Sequence, residues 1–324
     1  MSLRTAVIGV GSLGRQHARI HRDLANEGSS QFMAVCDLNE ETAHSVANER
    51  STEWTSNWRE LIGRVDAVSL AVPTEAHCEI ACGLLEAGIH VLVEKPISRT
   101  LEEADRMIRA AEKGKALLQV GHLERFNPAV LATLPLITSP MFFEVHRLSV
   151  FSPRSLDVDV VLDLMIHDLD LVLAFVNSPV KEIRAAGIPI LSNKVDIANA
   201  RVEFESGCVA NFTASRVSTE RVRKLRFFQA RQYVSIDYGR QDVIVFTVGA
   251  NEGEPSANPE IKIMKPPVRP EEPLRAEIRS FLHSVQTRSR PVVPVEDGRR
   301  ALTVALEILS QIQKHTSKLK IGAS

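Results

Sequence analysis

The stretch "TAVIGVGSLGRQHA", from Thr5 to Ala18, decides the fold. A short run of β-branched and small apolar residues leads into Gly9, Gly11 and Gly14, and a segment with helical character follows. The pattern G-x-G-x-x-G is weak alone, but a strand before it and a helix after it form the context of a dinucleotide site. In that context the three glycines permit the tight turn, the approach of the backbone to a pyrophosphate, and close helix–strand packing.

The residues around the glycines complete the predicted cofactor site. Ser12 and Leu13 lie inside the loop, at a helix N-terminus whose N–H groups and dipole favour anions. Asp37 ends the second predicted strand, 23 residues after the last glycine, where a carboxylate takes the ribose hydroxyls. Leu38 and Asn39 follow without an arginine for a 2′-phosphate, so the sequence favours NAD over NADP. The alternative is a glycine turn with a surface aspartate.

The order of the segments predicts two domains. Strand-like and helix-like segments alternate up to residue 122, which is typical of a parallel sheet with helices on both faces. Strands with few helices between them follow. We predict a doubly wound Rossmann domain over 1–122 and an α+β domain with an open-faced, largely antiparallel sheet over 123–324. The late helices can pack back on the first domain. Residues 249–273 are predicted to be an exposed loop, and the final "SKLKIGAS" to be frayed.

Composition excludes several classes of protein. The chain has 324 residues, 44% of them apolar and 24% charged, and its net charge of -1 gives no global reason for nucleic-acid or membrane binding. Its four cysteines form no C-x-x-C pair, so we predict neither a metal site nor a redox dithiol. Free thiols suit a reducing cytoplasm. The start shows no signal-peptide pattern, and no stretch of about 20 apolar residues predicts a transmembrane helix.

Charged residues end one of the apolar strands in "HVLVEKPIS", from His90 to Ser98. Glu94 and Lys95 stand at the carboxyl end of a predicted parallel strand, where ligands bind in such sheets. Pro96 disfavours the helical region for Lys95, so the lysine should sit on an extended end. The alternative is an ordinary salt bridge at the end of a strand. Downstream of a dinucleotide fold, we favour a ligand site.

The segment "DLMIHDLDLVL" is an apolar helix that carries ionisable groups. At about 100° per residue, Asp163, His167 and Asp170 share one narrow stripe, whereas Asp168 points away from it. A stripe of this kind should line a cleft. The imidazole can donate to Asp163, which fixes its tautomer, raises its basicity and leaves His167 as an acid or base. The alternative is a satisfied buried histidine–aspartate pair.

Together, the glycine loop, E-K-P and D-x-x-x-H-x-x-D resemble the Gfo/Idh/MocA family, as do "GRQHA" and "LAVPTEAH". The resemblance reaches about residue 316 and implies oxidation of a sugar or cyclitol hydroxyl with NAD(P). It implies that Lys95 binds and polarises that hydroxyl, that His167 takes its proton and that Asp163 supports His167. Asp170 would hold substrate hydroxyls. The implied cofactor residues beyond the loop are Pro73, Thr74, His77 and Glu94.

The stretch "QVGHLERFNPA" resembles the nucleotide-sugar branch of that family, in its residues Gly121 to Pro128. His122 and Arg125 are therefore predicted on the substrate side, with Arg125 either gripping a phosphate or holding the domains together. The basic residues of "TERVRKLRFF" either bind a diphosphate or form a solvated strand face.

The leading functional prediction is NAD-dependent oxidation of a sugar hydroxyl, at C3 of a nucleotide sugar such as UDP-N-acetylglucosamine. One alternative is a dehydrogenase of a free sugar or inositol. Another is a dinucleotide-binding regulator without catalysis. Relatives use the second-domain sheet to assemble, so the resemblance also implies a homodimer or homotetramer.

The match departs from the family around the motif aspartate. Many members have glycines just before that aspartate and one shortly after it, whereas this chain has "DVVLDLMIHDLD". The spacing from Asp163 to His167 is intact. The departure therefore puts the close backbone packing in doubt rather than the chemistry.

Overall fold

The computed structural model describes residues 2–151, 158–249 and 260–317. Its strands are β1 (Arg4–Ile8), β2 (Gln31–Cys36), β3 (Glu53–Thr55), β4 (Ala67–Leu70), β5 (His90–Glu94), β6 (Leu118–Gly121), β7 (Phe142–Val150), β8 (Val180–Ile188), β9 (Ile197–Phe204), β10 (Val209–Ser218), β11 (Val222–Gln229), β12 (Gln232–Asp237), β13 (Asp242–Val248) and β14 (Ile261–Met264). Its α-helices are α1 (Ser12–Asn26), α2 (Glu40–Arg50), α3 (Thr74–Glu86), α4 (Leu101–Gly114), α5 (Pro128–Thr133), α6 (Ile166–Val176), α7 (Pro273–Thr287) and α8 (Val295–Thr316).

The chain divides into two compact units. The first contains the described parts of Met1–Leu123 together with Glu272–Leu302, and the second contains the described residues of the remainder. Of the predicted frayed end, residues 318–324 lie outside the described residues. Among the described helices, none combines the length and the apolar character needed to cross a bilayer.

The sheet of the first unit has the strand order β3-β2-β1-β4-β5-β6, with every pair parallel. This is the doubly wound order in which ligands bind at the carboxyl ends of the strands. Strand β3 was not predicted. The strand is only three residues long, and Glu53–Thr55 contains no apolar run that would indicate a strand. In the structure Glu53 and Trp54 are exposed.

Helix α7 belongs to the core of the first unit. Its Ile278 and Phe281 are fully buried in one cluster with Ile20 and Leu24 of α1 and with Leu92 of β5. Spacings of three and four residues place apolar side chains on one face of a helix. Late helices were expected to be able to pack back on the first domain, and α7 lies in the first unit because its apolar face is buried there.

His21 is expected to make the stability of the first unit depend on pH. Its Nε2 lies 2.8 Å from Ser69 Oγ, and burial together with His17 lowers its pKa from 6.5 to about 3. The unfolded chain takes up this proton near pH 6.5 and the folded chain does not, so stability is lost as the pH falls from 6.5 towards 3.

We expect the free energy of unfolding to fall by about 2 kcal/mol between about pH 7 and about pH 5 on account of His21. Urea unfolding at both pH values measures this loss. The variant His21→Gln should lose correspondingly less on acidification, and an equal loss in both proteins would exclude His21 as the source.

The second unit is built on a sheet of order β14-β13-β12-β11-β7-β10-β9-β8. Of the described strand pairs, β7 with β10 is parallel and the others are antiparallel. Helix α6 packs on the inner face, where the Phe175 ring centroid lies 6.4 Å from those of Phe143 and Phe227. The residues that alternate with these along the strands lie on the opposite face, which is partly exposed among the described residues and is called the open face.

Two of the predictions for this unit were wrong in detail. The predicted loop over 249–273 contains β14, which pairs with β13 at the edge of the sheet, whereas 250–259 lie outside the described residues. The residues on either side of this short strand are rich in proline and glutamate, so the strand was not apparent from the sequence. The stretch "RFNPAVLATL", from Arg125 to Leu134, has helical character in the sequence and predicts a helix from Arg125, but a 3₁₀ turn covers Leu123–Phe126 instead. Helix α5 begins only at Pro128, because Asn127 caps it and accepts the N–H of Ala129.

Candidate active site

The glycine loop joins β1 to α1 by backbone contact. Gly9 has φ +81°, and a Cβ added to it would lie 2.6 Å from the carbonyl oxygen of Ala71. A Cβ on Gly14 would lie 1.7 Å from the carbonyl oxygen of Gly9, whereas one on Gly11 would meet nothing within 4 Å. Gly11 is also the N-cap of α1 and places no side chain there. The loop therefore fits a dinucleotide, because a pyrophosphate can approach this helix end. Ser12 and Leu13 are exposed beside it.

Asp37 stands at the same edge of the sheet, directly after β2. Its Oδ2 accepts the N–H of Val10 at 2.8 Å, and its Oδ1 accepts the N–H of Asn39 at 3.0 Å. Leu38 beside it is 91% exposed. Each carboxylate oxygen can accept more than one hydrogen bond. Asp37 can therefore receive ribose hydroxyls while it also fastens the glycine loop to β2, a second role that the sequence did not indicate.

Glu94 connects α1 to Lys95. Its Oε1 lies 2.9 Å from His17 Nε2, and its Oε2 accepts the N–H of Lys95 at 3.2 Å. Although burial opposes the charge, His17 and Lys95 hold the pKa of Glu94 below its usual value. The Lys95 side chain is partly exposed, and its peptide bond to Pro96 is cis. The carboxylate thus positions the lysine backbone, and its contact with the cofactor stays a prediction.

Pro73, Thr74 and His77 lie where β4 passes into α3. Pro73 caps the helix and is exposed, and Thr74 is its first residue. His77 is 1% exposed, with Nε2 2.9 Å from the carbonyl oxygen of Val72 and Nδ1 3.1 Å from that of Pro96. Burial lowers the pKa of His77, so the neutral ring donates to one of these carbonyls at a time. His77 therefore holds two loops of the sheet edge together.

A π-helical turn over Val161–Met165 precedes α6 and carries Asp163. The prediction of a single stripe used the angle of an α-helix throughout, which is wrong here because a π turn holds more residues. Asp163 and His167 are partly exposed, whereas Asp168 and Asp170 are each 1% exposed. Asp163 and His167 are thus accessible to solvent, whereas Asp168 and Asp170 are not. Turns of this type often occur at functional sites.

The two buried aspartates form ion pairs with arginines. Arg125 donates from Nε to Asp170 Oδ2 at 2.6 Å and from Nη2 to Oδ1 at 2.9 Å. Arg147 donates to both oxygens of Asp168, at 2.7 and 3.0 Å, and to Glu124 at 3.0 Å. Although burial opposes its charge, Asp168 and Glu124 raise the pKa of Arg147. These bonds fasten α6 to β7 and to the 3₁₀ turn before α5. The predicted contact of Asp170 with substrate remains untested.

His122 directly follows β6 in the first unit. Its side chain is 1% exposed, and its N–H donates to the carbonyl oxygen of Val120 at 2.8 Å. The predicted substrate contact of His122 also stays a prediction. Across the described ranges, no group of three or more His, Cys, Asp or Glu side chains could hold a metal ion.

Sequence reasoning missed the roles of His17 and Arg147. His17 lies in "GRQHA", which contributed to the resemblance but gave no partner. Arg147 stands in "FFEVHRLSV", two residues after Val145 and four after Phe143, which are both buried. Strand alternation alone could have placed Arg147 on the inner face, where a buried charge requires partners.

Two family models match the chain. Residues 3–122 match GFO_IDH_MocA, described as an oxidoreductase family with an NAD-binding Rossmann fold. Residues 102–232 match the GFO/IDH/MocA C-terminal domain.

Similar proteins include two dehydrogenases. The chain is 36% identical over 307 residues to a UDP-N-acetylglucosamine 3-dehydrogenase of Acidithiobacillus ferrooxidans, covering 94% of this chain and 96% of that protein. A crystal form of such an enzyme from that organism has a TM-score of 0.89 at 34% identity and covers 97% of this chain and 99% of its own. The chain is also 25% identical to a myo-inositol 2-dehydrogenase of Thermotoga maritima, covering 97% of this chain and 98% of that protein.

Proposed function

Because the chain belongs to the Gfo/Idh/MocA oxidoreductase family, we propose that it is an NAD-dependent dehydrogenase of a nucleotide sugar, acting at C3 of UDP-N-acetylglucosamine. The observation that carries the substrate class is the 36% identity to a UDP-N-acetylglucosamine 3-dehydrogenase, spread over 94% of this chain. The geometry agrees with the reaction class. One sheet edge presents the glycine loop and Asp37, which suit a nicotinamide dinucleotide, and Lys95 stands at the same edge.

Each residue has a proposed role in the oxidation. His167 removes the proton of the C3 hydroxyl, and Asp163 supports His167 as a base. The Lys95 ammonium binds the same hydroxyl and stabilises the negative charge that develops on its oxygen. Glu94 fixes the backbone from which this lysine extends. NAD, when bound, supplies the acceptor of the hydride. His122, Arg125 and Asp170 complete the substrate side, with Asp170 acting through the guanidinium that it holds.

The preference for NAD over NADP rests on Asp37. Its carboxylate can accept hydrogen bonds from ribose hydroxyls, and its charge would repel a 2′-phosphate. The residue after it is an exposed leucine rather than an arginine. The proposed preference is therefore a difference in KM between the two cofactors.

A screen of NADH formation tests the proposed function. We expect the highest kcat/KM with UDP-N-acetylglucosamine among UDP-sugars, free sugars and inositols, and a lower KM for NAD than for NADP. Higher kcat/KM with myo-inositol would replace the substrate with a cyclitol, which the similarity to a myo-inositol 2-dehydrogenase makes the second candidate. Tight NAD binding without reduction by any of these compounds would identify a regulator instead.

We also propose that the protein is a homodimer or homotetramer through the open face of the second sheet, and that it acts in the cytoplasm. Four aromatic rings cross that face on neighbouring strands, with centroids 5.9, 5.0 and 5.4 Å apart: Phe142, Phe228, Tyr233 and Phe246. Ile263 beside them is 64% exposed. An apolar surface of this kind favours association, and a light-scattering mass of one chain would contradict the proposed oligomer.

The proposed location in the cytoplasm is supported by the four cysteines, which are free thiols and suit a reducing compartment.

A further inference from the structure

Strand β11 divides the basic run over 221–226 between the two faces of the sheet. Lys224 and Arg226 lie on the open face, where Arg226 Nη1 is 3.5 Å from Glu144 Oε2. Arg223 lies directly opposite Arg147 in the register of β11 and β7, so both arginines are on the face that carries α6. The basic run is therefore not one solvated strand face. Lys224 and Arg226 fit the solvated face, whereas Arg221 and Arg223 remain candidates for binding a diphosphate.

Arg223 carries a positive charge beside another one. Directly opposite like charges on neighbouring strands repel each other. Asp168 and Glu124 hold the guanidinium of Arg147 through three hydrogen bonds. In the part of the chain that the structure describes, neither Arg223 nor Arg221 has an ion-pair partner. Burial, Arg147 and Arg221 lower the pKa of Arg223, and the nearby carboxylates of Glu124 and Asp168 only partly oppose this shift. Arg223 is nevertheless exposed at the surface. This combination of access and positive charge favours an anionic ligand.

We propose that Arg221 and Arg223 bind the diphosphate of the nucleotide-sugar substrate, an inference that rests on the function proposed above. Two residues apart on an extended chain, their side chains leave the same side about 7 Å from each other. Guanidinium groups bind phosphate oxygens bidentately, which suits a group with two adjacent phosphates.

The position of Arg223 also suits the proposed chemistry. Its register partner Arg147 is hydrogen-bonded to Asp168, the neighbour of His167 in the chain. An anion held at the start of β11 would therefore lie beside Arg147, on the side of α6 that carries Asp168, and α6 also carries the proposed base. In a UDP-sugar the diphosphate is attached to C1, in the same ring as the C3 hydroxyl, so both groups must be bound within one site.

Kinetics and binding of the double variant Arg221→Met/Arg223→Met test this inference. We expect the KM for UDP-N-acetylglucosamine and the Kd of UDP, measured by calorimetry, to rise about 10-fold to 100-fold, as for loss of hydrogen bonds to a charged group. We expect kcat and the Kd of NAD to change little. The thermal midpoint should not fall, because the variant removes a charge opposite Arg147. The variant Arg223→Lys should lose part of the affinity for UDP. Lysine keeps the positive charge, but it lacks the planar guanidinium that binds phosphate oxygens bidentately.

Arg231→Met is the matched control. Arg231 is exposed in the turn after β11, at the opposite end of the strand from Arg223. The Arg231→Met variant should leave unchanged the KM for UDP-N-acetylglucosamine, the Kd of UDP, kcat and the Kd of NAD. Unchanged UDP affinity in the double variant, with UDP-N-acetylglucosamine turned over by the wild type, would reject the inference and leave the proposed function standing. Weakened NAD binding would assign the arginines to the cofactor and also reject it. A wild type that turns over no UDP-sugar, yet binds UDP through these arginines, would reject the proposed function and keep Arg221 and Arg223 as a diphosphate site of another role.

Discussion

Replacing His167 by alanine should lower kcat about 10²-fold to 10⁴-fold while NAD still binds, because general base catalysis typically contributes that much. His167 is partly exposed and follows the π turn that carries Asp163. The glycine loop and Asp37 belong to the first unit, so the substitution leaves every proposed NAD contact in place. Steady-state kinetics give kcat, and fluorescence titration gives the Kd of NAD.

His283→Ala is the control for this experiment, since His283 is an exposed histidine on α7. It should retain the kcat of the wild type. Near-normal turnover by His167→Ala would remove His167 from the mechanism. Asp163→Asn should show a smaller loss than His167→Ala, because Asp163 supports the base and does not itself take the proton.

The second large effect is on stability. Arg147→Met should lower the free energy of unfolding by about 3–5 kcal/mol, because it leaves buried carboxylates without their cation. Arg147 is 4% exposed and is the shared partner of Asp168 and Glu124. Urea unfolding measures the loss. The double variant Arg147→Met/Asp168→Leu should recover part of it, because apolar side chains can replace a buried ion pair.

Arg4→Met provides a contrasting ion pair. Arg4 and Asp66 are about as close as Arg147 and Asp168, with a shortest distance of 2.7 Å, but their side chains are 39% and 34% exposed. Solvent screens such a pair, so the loss should be much smaller. Equal losses in Arg4→Met and Arg147→Met would show that burial does not set the energy of these pairs.

The first half of the fold follows from local patterns in the sequence. The turn at Gly9, the helix after Gly14 and the alternation of strands and helices are each encoded in short windows. What failed was weakly patterned or depended on partners far along the chain. β3 and β14 are too short to show a period. The π turn at Val161–Met165 has the composition of an α-helix, so its wider turn could not be read from an assumed 100° per residue.

The candidate site divides in the same way. Motifs predicted that Lys95 and Asp37 face a ligand, because each follows a strand at the carboxyl edge of a parallel sheet. The sequence could not show that Asp170 is engaged by Arg125, 45 residues earlier, or that Glu94 is engaged by His17, 77 residues earlier. Such pairs are formed by tertiary packing, and a stripe of charges on one helix does not identify its partners.

The glycine loop has a consequence for which substitutions this chain can tolerate. Gly9 and Gly14 are locked by backbone atoms, so any side chain at either position must break the turn before a ligand is involved. Gly11 meets no such obstacle, since nothing lies within 4 Å of an added Cβ. Replacing Gly11 by alanine should not disturb folding, and it should weaken binding only where a pyrophosphate must come close to the backbone. A substitution at Gly9 or Gly14 is thus expected to act through the fold, and one at Gly11 through the ligand.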